Sequence, residues 1–474
     1  MDTYSPQYLN YTNFVLSNAS SFYSYGTSQS RGFMIMAGNP SKTSTEVIWT
    51  ACDLDNNVRS AVWDGTTWNN KEIEENTACQ GSPHRGAVAM YETKSHTGMI
   101  VYPKTGGNGM YYRIWGGSSW GAETLLPDMP TTTMKVLDVF QKPHPNNDQI
   151  MLLVETIDNT EGNSPFLAIL WNGDSWEQWT ELASVTDWTA YENTHDFAWE
   201  HNSGDGLVLY DVTNQADVYY RVYNLTTHTW GAETKYAIYG YTARATAESI
   251  SGVPDSDDII GWVYVQSSPS NTYFVHWNGT SFVDSDKESL NGGSGYDGKV
   301  WLTSGCTNNG NCYITYYNDS DGIMRRWKNN TLETKEYNFT TELPEFPTIY
   351  PHPRKDDIML LLFGEYNTKK VGFALWNDTS STFDIQYGNT VIDASTRDYA
   401  FSWIGRRTTN DPQVWYDTSV WKANCTIPSV SPGLYDLNLS ASYYPIVVAH
   451  SDTEAVSYTH LRAHETPEHL VCRL

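Results

Sequence analysis

Short apolar stretches separated by glycine, asparagine and aspartate recur along the 474 residues of the chain. Each unit predicts the same order: a first strand, a proline or aspartate turn, an apolar second strand, a polar turn, an alternating third strand, an aromatic hairpin and a fourth strand. Alternation with a period of two indicates a half-buried strand, and a short apolar run between turn residues indicates a buried one. The longest apolar runs, such as Ile358–Phe363, are strand-sized, so no membrane insertion is predicted.

The aromatic hairpin is the clearest repeated element. Its best copies have these flanking aromatics and turn glycines: Trp63, Gly65 and Trp68; Trp115, Gly117 and Trp120; Trp171, Gly173 and Trp176; Trp277, Gly279 and Phe282. Weaker copies begin at Tyr223, Trp327 and Trp376, and the first aromatics are 52, 56, 52, 54, 50 and 49 residues apart. Asn-Gly, Asp-Gly and Gly-Gly suit the positive φ angles of a type I′ turn, and the flanking aromatics can pack across the strand pair.

A second repeated segment precedes the hairpin. Pro143–Leu153 recurs as Pro351–Leu361, 208 residues later, or four repeat lengths. Four strands in each repeat of about 50 residues are typical of a β-propeller blade. The sequence therefore predicts an all-β fold, a β-propeller of four-stranded blades over residues 8–418.

The chain ends predict how this ring closes. Phe14–Phe22 aligns with the third and fourth strands of a repeat, whereas Asp398–Trp403 and Gln413–Tyr416 match the first and second strands. Two half-blades of this kind would combine into one blade and remove exposed sheet edges. This gives eight blades; seven complete blades with unrelated tails are the alternative.

The C-terminal segments differ from the repeats. Residues 419–455 have no aromatic hairpin and are interpreted as the start of a truncated, immunoglobulin-like β domain. Residues 456–474 resemble a translated sequencing-library adapter and are excluded from the fold as an artefact. The chain is therefore interpreted as a fragment of a longer, monomeric protein.

Composition limits the partners and the compartment. Aromatic residues make up 14% of the chain, which argues against disorder, and the net charge of −26 argues against nucleic acid and anionic membranes. Cys306 and Cys312 flank an Asn-Gly turn and predict a disulfide; Cys52 and Cys79 can also pair, and Cys425 lacks an evident partner. Disulfides favour an extracellular or cell-surface location, with unpaired core thiols as the alternative.

The repeats resemble a broad group of extracellular propellers, which includes lectin-like and Asp-box propellers. The hairpins are similar to Asp-boxes, Ser-x-Asp-x-Gly-x-x-Trp, but they lack the leading Ser-x-Asp. This resemblance implies ligand binding or adhesion outside the cell, with a glycan or a surface protein as partner.

Candidate ligand-binding residues precede the first strands, where propeller ligands usually reach the channel mouth. The basic or imidazole residues at these places are Arg31, Arg85, Lys135, His195, Arg244, Lys299 and Arg397. The aromatic residues in the same connections are Trp188, Tyr191, Tyr239, Tyr241 and Tyr296. A positive ring of this kind would suit a carboxylated or sulfated glycan; local pairing and packing are the alternative.

The sequence favours a non-catalytic module. The acidic turns at 53–57 and 318–322 could hold Ca²⁺, but aspartate, asparagine and glycine are also favoured in turns, so no metal or other cofactor is assigned. No nucleophile elbow, zinc-protease motif or phosphate-binding loop is present. A glycoside hydrolase or lyase with acids at the channel mouth is the first alternative, and a structural spacer or coat component is the second.

Overall fold

The structure is a computed structural model. It describes the following residues: 14–15, 33–41, 44, 46–52, 57–64, 68–75, 86–105, 109–130, 134–158, 164–185, 195–211, 218–238, 244–266, 271–290, 303–318, 321–351, 356–365, 368, 370–391, 399–402, 413–416 and 448–449. The described residues form strands and turns, with one short 3₁₀ turn at Asp284–Asp286.

The described strands form eight antiparallel sheets, which we number along the chain. The N-terminal strand is β1 (Phe14–Val15). Sheet 1 has β2 (Phe33–Gly38), β3 (Val47–Cys52), β4 (Val58–Trp63) and β5 (Trp68–Glu75). Sheet 2 has β6 (Val88–Tyr91), β7 (Gly98–Pro103), β8 (Met110–Trp115) and β9 (Thr124–Leu125). Sheet 3 has β10 (Met134–Pro143), β11 (Ile150–Asp158), β12 (Ser164–Trp171) and β13 (Thr180–Val185). Sheet 4 has β14 (His195–Trp199), β15 (Gly206–Asp211), β16 (Val218–Asn224), β17 (Thr229–Trp230) and β18 (Thr234–Tyr236).

The remaining sheets follow the same plan. Sheet 5 has β19 (Arg244–Gly252), β20 (Asp258–Gln266), β21 (Asn271–Asn278) and β22 (Glu288–Ser289). Sheet 6 has β23 (Ser304–Cys306), β24 (Cys312–Asn318), β25 (Asp321–Lys328) and β26 (Thr331–Thr340). Sheet 7 has β27 (Pro344–Pro351), β28 (Ile358–Glu365), β29 (Lys370–Asn377) and β30 (Thr382–Val391). The terminal sheet has β31 (Tyr399–Ser402), β32 (Gln413–Tyr416), β33 (Val448–Ala449) and β1.

Successive strands of each sheet are neighbours, so sheets 1 to 7 are antiparallel meanders. In sheet 4, β16 pairs with both β17 and β18, which makes that sheet five-stranded. This arrangement confirms the all-β class and the predicted four-stranded unit. The apolar second strands have the deepest burial; in β28, every residue is buried.

The sheets pack in sequence order through their first strands. β2 contacts β6, and the contacts continue through β10, β14, β19 and β23 to β27; β31 contacts β2. The apolar core lies between neighbouring sheets: Leu153 and Phe166 of sheet 3 belong to the same buried cluster as Phe197 and Tyr210 of sheet 4. Each sheet interface is therefore a separate place where side chains from two repeats meet.

The terminal sheet joins the two ends of the chain. Its order is β1–β33–β32–β31, with Val15 opposite Val448 and Gln413 also opposite Val448. The predicted first and second strands, β31 and β32, are present. The third position is taken by Val448–Ala449, whereas the sequence assigned it to the residues around Phe14; Phe14–Val15 takes the fourth position. In the sequence, this third strand is the end of an apolar run, Ile446–Ala449.

The aromatic hairpins form. In the Trp327 hairpin, Asn329 and Asn330 have φ angles of +50° and +56° between the paired residues Lys328 and Thr331, as a type I′ turn requires, whereas the turn at Gly173 differs. The ring centroids of Trp115 and Trp120 are 5.2 Å apart, and those of Trp171 and Trp176 are 5.5 Å apart. Among the described turn residues, Gly173 has a φ of +103°, while Asn172 before it is not in the positive-φ region. The Asn172 side chain instead accepts the Ser175 N–H at 3.0 Å. A type I′ turn requires two positive φ angles, so this turn is of another type. Asn172 stabilises it through its side chain.

Cys306 and Cys312 form the disulfide that their spacing predicted. They are opposite each other in the β23–β24 hairpin, with Cα atoms 3.9 Å apart. Cys79 and Cys425 lie outside the described residues.

Candidate functional site

Most of the residues predicted for the channel mouth lie outside the described part of the chain. These are Arg31, Arg85, Lys299, Arg397, Trp188, Tyr191, Tyr239, Tyr241 and Tyr296. Lys135 and Arg244 lie at the start of β10 and β19, where the structure describes the backbone. The grouping of these residues around one mouth therefore stays a prediction.

His195, the remaining member of that set, is buried between sheets 3 and 4. Its Nδ1 is 2.6 Å from Glu155 Oε1, and the two side chains are 2% and 1% exposed. The rings of Phe140 and Phe166 lie 4.6 and 4.2 Å from the imidazole ring. His195 thus has an internal carboxylate partner and an aromatic enclosure in this structure, and it takes no part in the grooves described next.

A different set of polar side chains lies toward the outer edge of sheet 2. Tyr102, on the second strand, donates its hydroxyl to Glu123 Oε2 at 2.7 Å. Arg113, on the third strand, donates its Nε–H to the Gly121 carbonyl at 2.9 Å, and its guanidinium lies 6.0 Å from the Trp120 ring. Burial raises the pKa of Tyr102, and the Glu123 carboxylate raises it further, so the tyrosine remains a hydroxyl donor. Glu123 is exposed.

The same arrangement recurs in sheets 4 and 6. Tyr210 donates to Glu233 Oε2 at 2.8 Å, and Arg221 is close enough to lower the pKa of that tyrosine, which burial raises. Tyr316 donates to Glu336, and Arg325 lowers its pKa in the same way. The three sets are Tyr102, Arg113 and Glu123; Tyr210, Arg221 and Glu233; Tyr316, Arg325 and Glu336. We call them outer grooves 1/2, 3/4 and 5/6, after the two sheets that form each one.

The local sequence explains why each arginine points into its groove. Arg113, Arg221 and Arg325 each lie two residues before the first aromatic of the hairpin. Because side chains alternate between the two faces of a strand, each arginine shares a face with that aromatic. The aromatic Tyr223 packs in the core between sheets 3 and 4, so Arg221 faces sheet 3.

The sequence contained a signal for these grooves. The three arginines are 108 and 104 residues apart, so they follow a repeat of two sheets. Sheets 1, 3, 5 and 7 have Ala61, Ile169, Val275 and Ala374 at the corresponding position. A period of about 52 residues detects the hairpins, but it superimposes the sheets that carry the arginine on those that carry an apolar residue at that position. Searching at twice that period would have found the arginines.

Acidic residues of the preceding sheet contact two of the arginines. Arg113 pairs with Glu74 Oε2 at 2.7 Å and with Glu72, both from β5. Arg325 pairs with Glu288 Oε1 at 2.7 Å, from β22. Burial raises the pKa of the Glu74 carboxyl, although the contacts from Ser60 and Arg113 oppose this shift.

The three outer grooves share one set of polar groups. Each combines guanidinium donors, a tyrosine oxygen and an exposed carboxylate acceptor. Guanidinium and carboxylate groups can engage neighbouring hydroxyls in a defined geometry. In groove 1/2 the ring beside the guanidinium is Trp120, which is buried in the core between sheets 1 and 2.

A further open cleft of about 540 Å³ lies beside Arg326, on the other face of β25. Arg326 already pairs with Asp378 at 2.7 Å and with Glu333 at 2.9 Å, and it also donates to Ser381. Burial disfavours the ionised form of Asp378, but hydrogen bonds from Tyr313, Arg326 and two asparagines outweigh this effect and lower its pKa. The cation of this cleft is therefore engaged in holding sheets 6 and 7 together.

Among the described residues, no group of three or more His, Cys, Asp or Glu side chains is placed to hold a metal ion. Of the acidic turn at 53–57, the structure describes Asn57 alone; of the turn at 318–322, it describes residues 318, 321 and 322. The same described residues contain no helix with the length and apolarity to span a membrane.

Comparison with known proteins identifies no family, since no family model and no curated protein matches the chain. Solved structures do show similarity. The BP39L lectin of Burkholderia pseudomallei has 8% identity and a TM-score of 0.48, over 76% of this chain and 98% of the lectin. The six-bladed β-propeller lectin of Aleuria aurantia has 13% identity and a TM-score of 0.35, over 70% of this chain and 98% of the lectin. Polysaccharide lyase Uly1 has 11% identity and a TM-score of 0.43, over 77% and 92% of the two chains.

Proposed function

We propose that the chain is a non-catalytic, carbohydrate-binding β-propeller that acts outside the cell, with its binding sites in the outer grooves. The observation that carries this proposal is the recurrence of a tyrosine, an arginine and an exposed glutamate in sheets 2, 4 and 6. Ligand hydroxyls can donate to an exposed carboxylate, and each groove presents one. Equivalent grooves on one body also favour repeated ligands, because linked sites bind with a higher effective concentration.

The proposal includes a closed ring of eight blades. The first strands of the sheets contact each other in order from β31 through β2 to β27, and β1 pairs with β33. In this arrangement β33 belongs to the eighth blade, although it lies in the segment assigned from sequence to a second domain. Closure of this kind removes unpaired sheet edges. The Cys306–Cys312 disulfide supports an oxidising compartment.

The test is a glycan array with the whole chain and two charge-matched variants. The groove variant carries Glu123→Gln, Glu233→Gln and Glu336→Gln. The control variant carries Asp128→Asn, Asp174→Asn and Asp255→Asn, which change exposed carboxylates elsewhere. We expect the chain and the control to bind the same glycans, and the groove variant to lose at least tenfold in affinity, or about 1.4 kcal/mol.

Two results would overturn the proposal. One is the absence of binding to any saccharide by the correctly folded chain; the other is equal binding by the groove variant and the control. Release of unsaturated or reducing sugars from a bound polysaccharide would contradict the non-catalytic part and favour the enzyme alternative.

A further inference from the structure

Arg113, Arg221 and Arg325 differ in the residue that the preceding sheet places at the corresponding position. The sixth residue after the second hairpin aromatic is Glu74 in sheet 1 and Glu288 in sheet 5. These are the carboxylates that pair with Arg113 and Arg325. The corresponding residue in sheet 3 is Leu182, which is buried in the core between sheets 3 and 4. Groove 3/4 therefore has the arginine without the matching acid.

The contacts around Arg221 agree with this difference. Among the described residues, Arg221 has no acidic partner within ion-pair distance, and its Nε–H is buried without a hydrogen-bond partner. The Tyr223 hydroxyl, two residues along on the same face, is also buried without a partner in the described part of the chain. Two polar groups aimed at one interface are thus unsatisfied, which costs free energy unless a ligand or water occupies the site.

The two acidic residues of groove 3/4, Glu177 and Glu233, favour an anionic group carried by a saccharide over a free anion. Glu177 pairs with His228, with Oε1 and Nδ1 2.5 Å apart. Glu233 accepts the Tyr210 hydroxyl through one carboxylate oxygen. A saccharide can place an acidic group at Arg221 and a donating hydroxyl at the other Glu233 oxygen. A free inorganic anion is attracted by Arg221 but repelled by the Glu233 carboxylate.

We infer that groove 3/4 is a binding site for the carboxylate of an acidic saccharide, which takes the place at Arg221 that Glu74 and Glu288 take at the two related arginines. The inference rests on the proposed function and specifies the ligand class of one groove. The guanidinium supplies paired donors that match a carboxylate, and Tyr223 lies two residues along on the same face of the strand.

The test is calorimetric titration of the whole chain with a glucuronate-containing oligosaccharide, with its neutral glucose analogue and with inorganic sulfate. Wild type is expected to bind the acidic saccharide at least tenfold more tightly than the neutral one, and more tightly than sulfate. Arg221→Gln should remove this preference. Leu182→Glu should remove it as well, because the new carboxylate would pair with Arg221 internally. Lys94→Gln is the control, since it removes an exposed cation that lies outside the outer grooves, and it should retain the preference.

A converse variant makes the test independent of lost stability. Glu288→Leu removes the acid that pairs with Arg325, as Leu182 replaces it beside Arg221, so a second acidic-saccharide site should appear in groove 5/6. An unchanged preference in both Arg221→Gln and Leu182→Glu would overturn the inference, as would equal binding of sulfate and the saccharide. If neutral saccharides bind through the glutamates while Arg221 has no effect, the inference fails and the proposed function stands; if no saccharide binds, both fail.

Discussion

Trp277 donates its indole N–H to Glu200 Oε1 at 2.7 Å, across the interface between sheets 5 and 4, and both residues are buried. The contact recurs as Trp171 to Glu92 at 2.5 Å and Trp115 to Glu46 at 2.6 Å. The first hairpin aromatic thus has two tasks: it packs within its hairpin and hydrogen-bonds to the preceding sheet. Ser203 donates to the second oxygen of Glu200, as Ser95 does to Glu92.

Removal of the Glu200 carboxyl tests how much this contact stabilises the sheet interface. Glu200→Ala leaves the buried indole N–H without an acceptor and should lower the free energy of unfolding by about 1–3 kcal/mol. Glu200→Gln keeps an acceptor oxygen and should cost less, because burial raises the pKa of Glu200 and disfavours its charge. Chemical denaturation at pH 7 measures both. Equal losses for the two variants would contradict a hydrogen-bonding role.

His144 should make the stability depend on pH. Burial, together with the nearby His201 charge, lowers the pKa of His144 to about 4. The unfolded chain, with the ordinary histidine pKa of about 6.5, takes up the proton first as the pH falls. The stabilisation is therefore complete above about pH 6.5 and is lost toward pH 4, by at most about 1.4 kcal/mol per pH unit.

The His144→Asn variant isolates this effect. It retains an acceptor for the Asn146 N–H, which His144 Nδ1 accepts at 3.0 Å in the wild type. Unfolding curves between pH 7 and pH 4 should show a smaller loss of stability in the variant. The same slope in both proteins would contradict the prediction.

Arg326 and Asp378 should be strongly coupled. Their side chains are 10% and 5% exposed and form a 2.7 Å ion pair between sheets 6 and 7. Arg326→Met should cost about 3–5 kcal/mol, because it leaves a buried carboxylate without its cation. Adding Asp378→Asn should recover part of that loss. A double-mutant cycle measures the coupling, and additive losses would show that the ion pair contributes little.

The low pKa of Asp378 predicts a separate acid effect. Because the folded pKa is lowered below its ordinary value of 3.8, the stabilisation is present above that pH and is lost as the pH falls below it. Asp378→Asn should flatten this part of the stability curve. Measurements between pH 5 and pH 2 compare the variant with wild type, and parallel curves would count against the prediction.

The Cys306–Cys312 disulfide should make a moderate contribution to stability. Five residues lie between the two cysteines, and closure of so short a loop stabilises by about 2 kcal/mol in the chain-entropy view. The Cys306→Ala and Cys312→Ala double variant should unfold at correspondingly lower denaturant concentration. A wild-type midpoint for this variant would show that the bond is dispensable.

The sequence predicted those features that depend on local chemistry. The period-two alternation, the apolar second strands and the glycine of the hairpin, such as Gly173 with its positive φ, are visible in a single repeat. Contacts between sheets were missed, because Glu200 and Trp277 are 77 residues apart and nothing near either residue specifies the pair. The arginine grooves were missed for another reason: their period spans two sheets. His195 was taken for a ligand-facing cation, since its burial beside Glu155 depends on a neighbouring sheet.

The most direct test of the proposed closed ring is a cross-link between the strands that would join its two ends. Val15 and Val448 are Cα partners in the terminal sheet, so Val15→Cys with Val448→Cys should form a disulfide on mild oxidation of the folded chain, found by mass spectrometry. Phe14→Cys with Val448→Cys is the control, because a shift of one residue places the side chains on opposite faces. Efficient cross-linking of the first pair and little of the second are expected. Absence of the first cross-link in the folded protein would contradict the proposed closed ring.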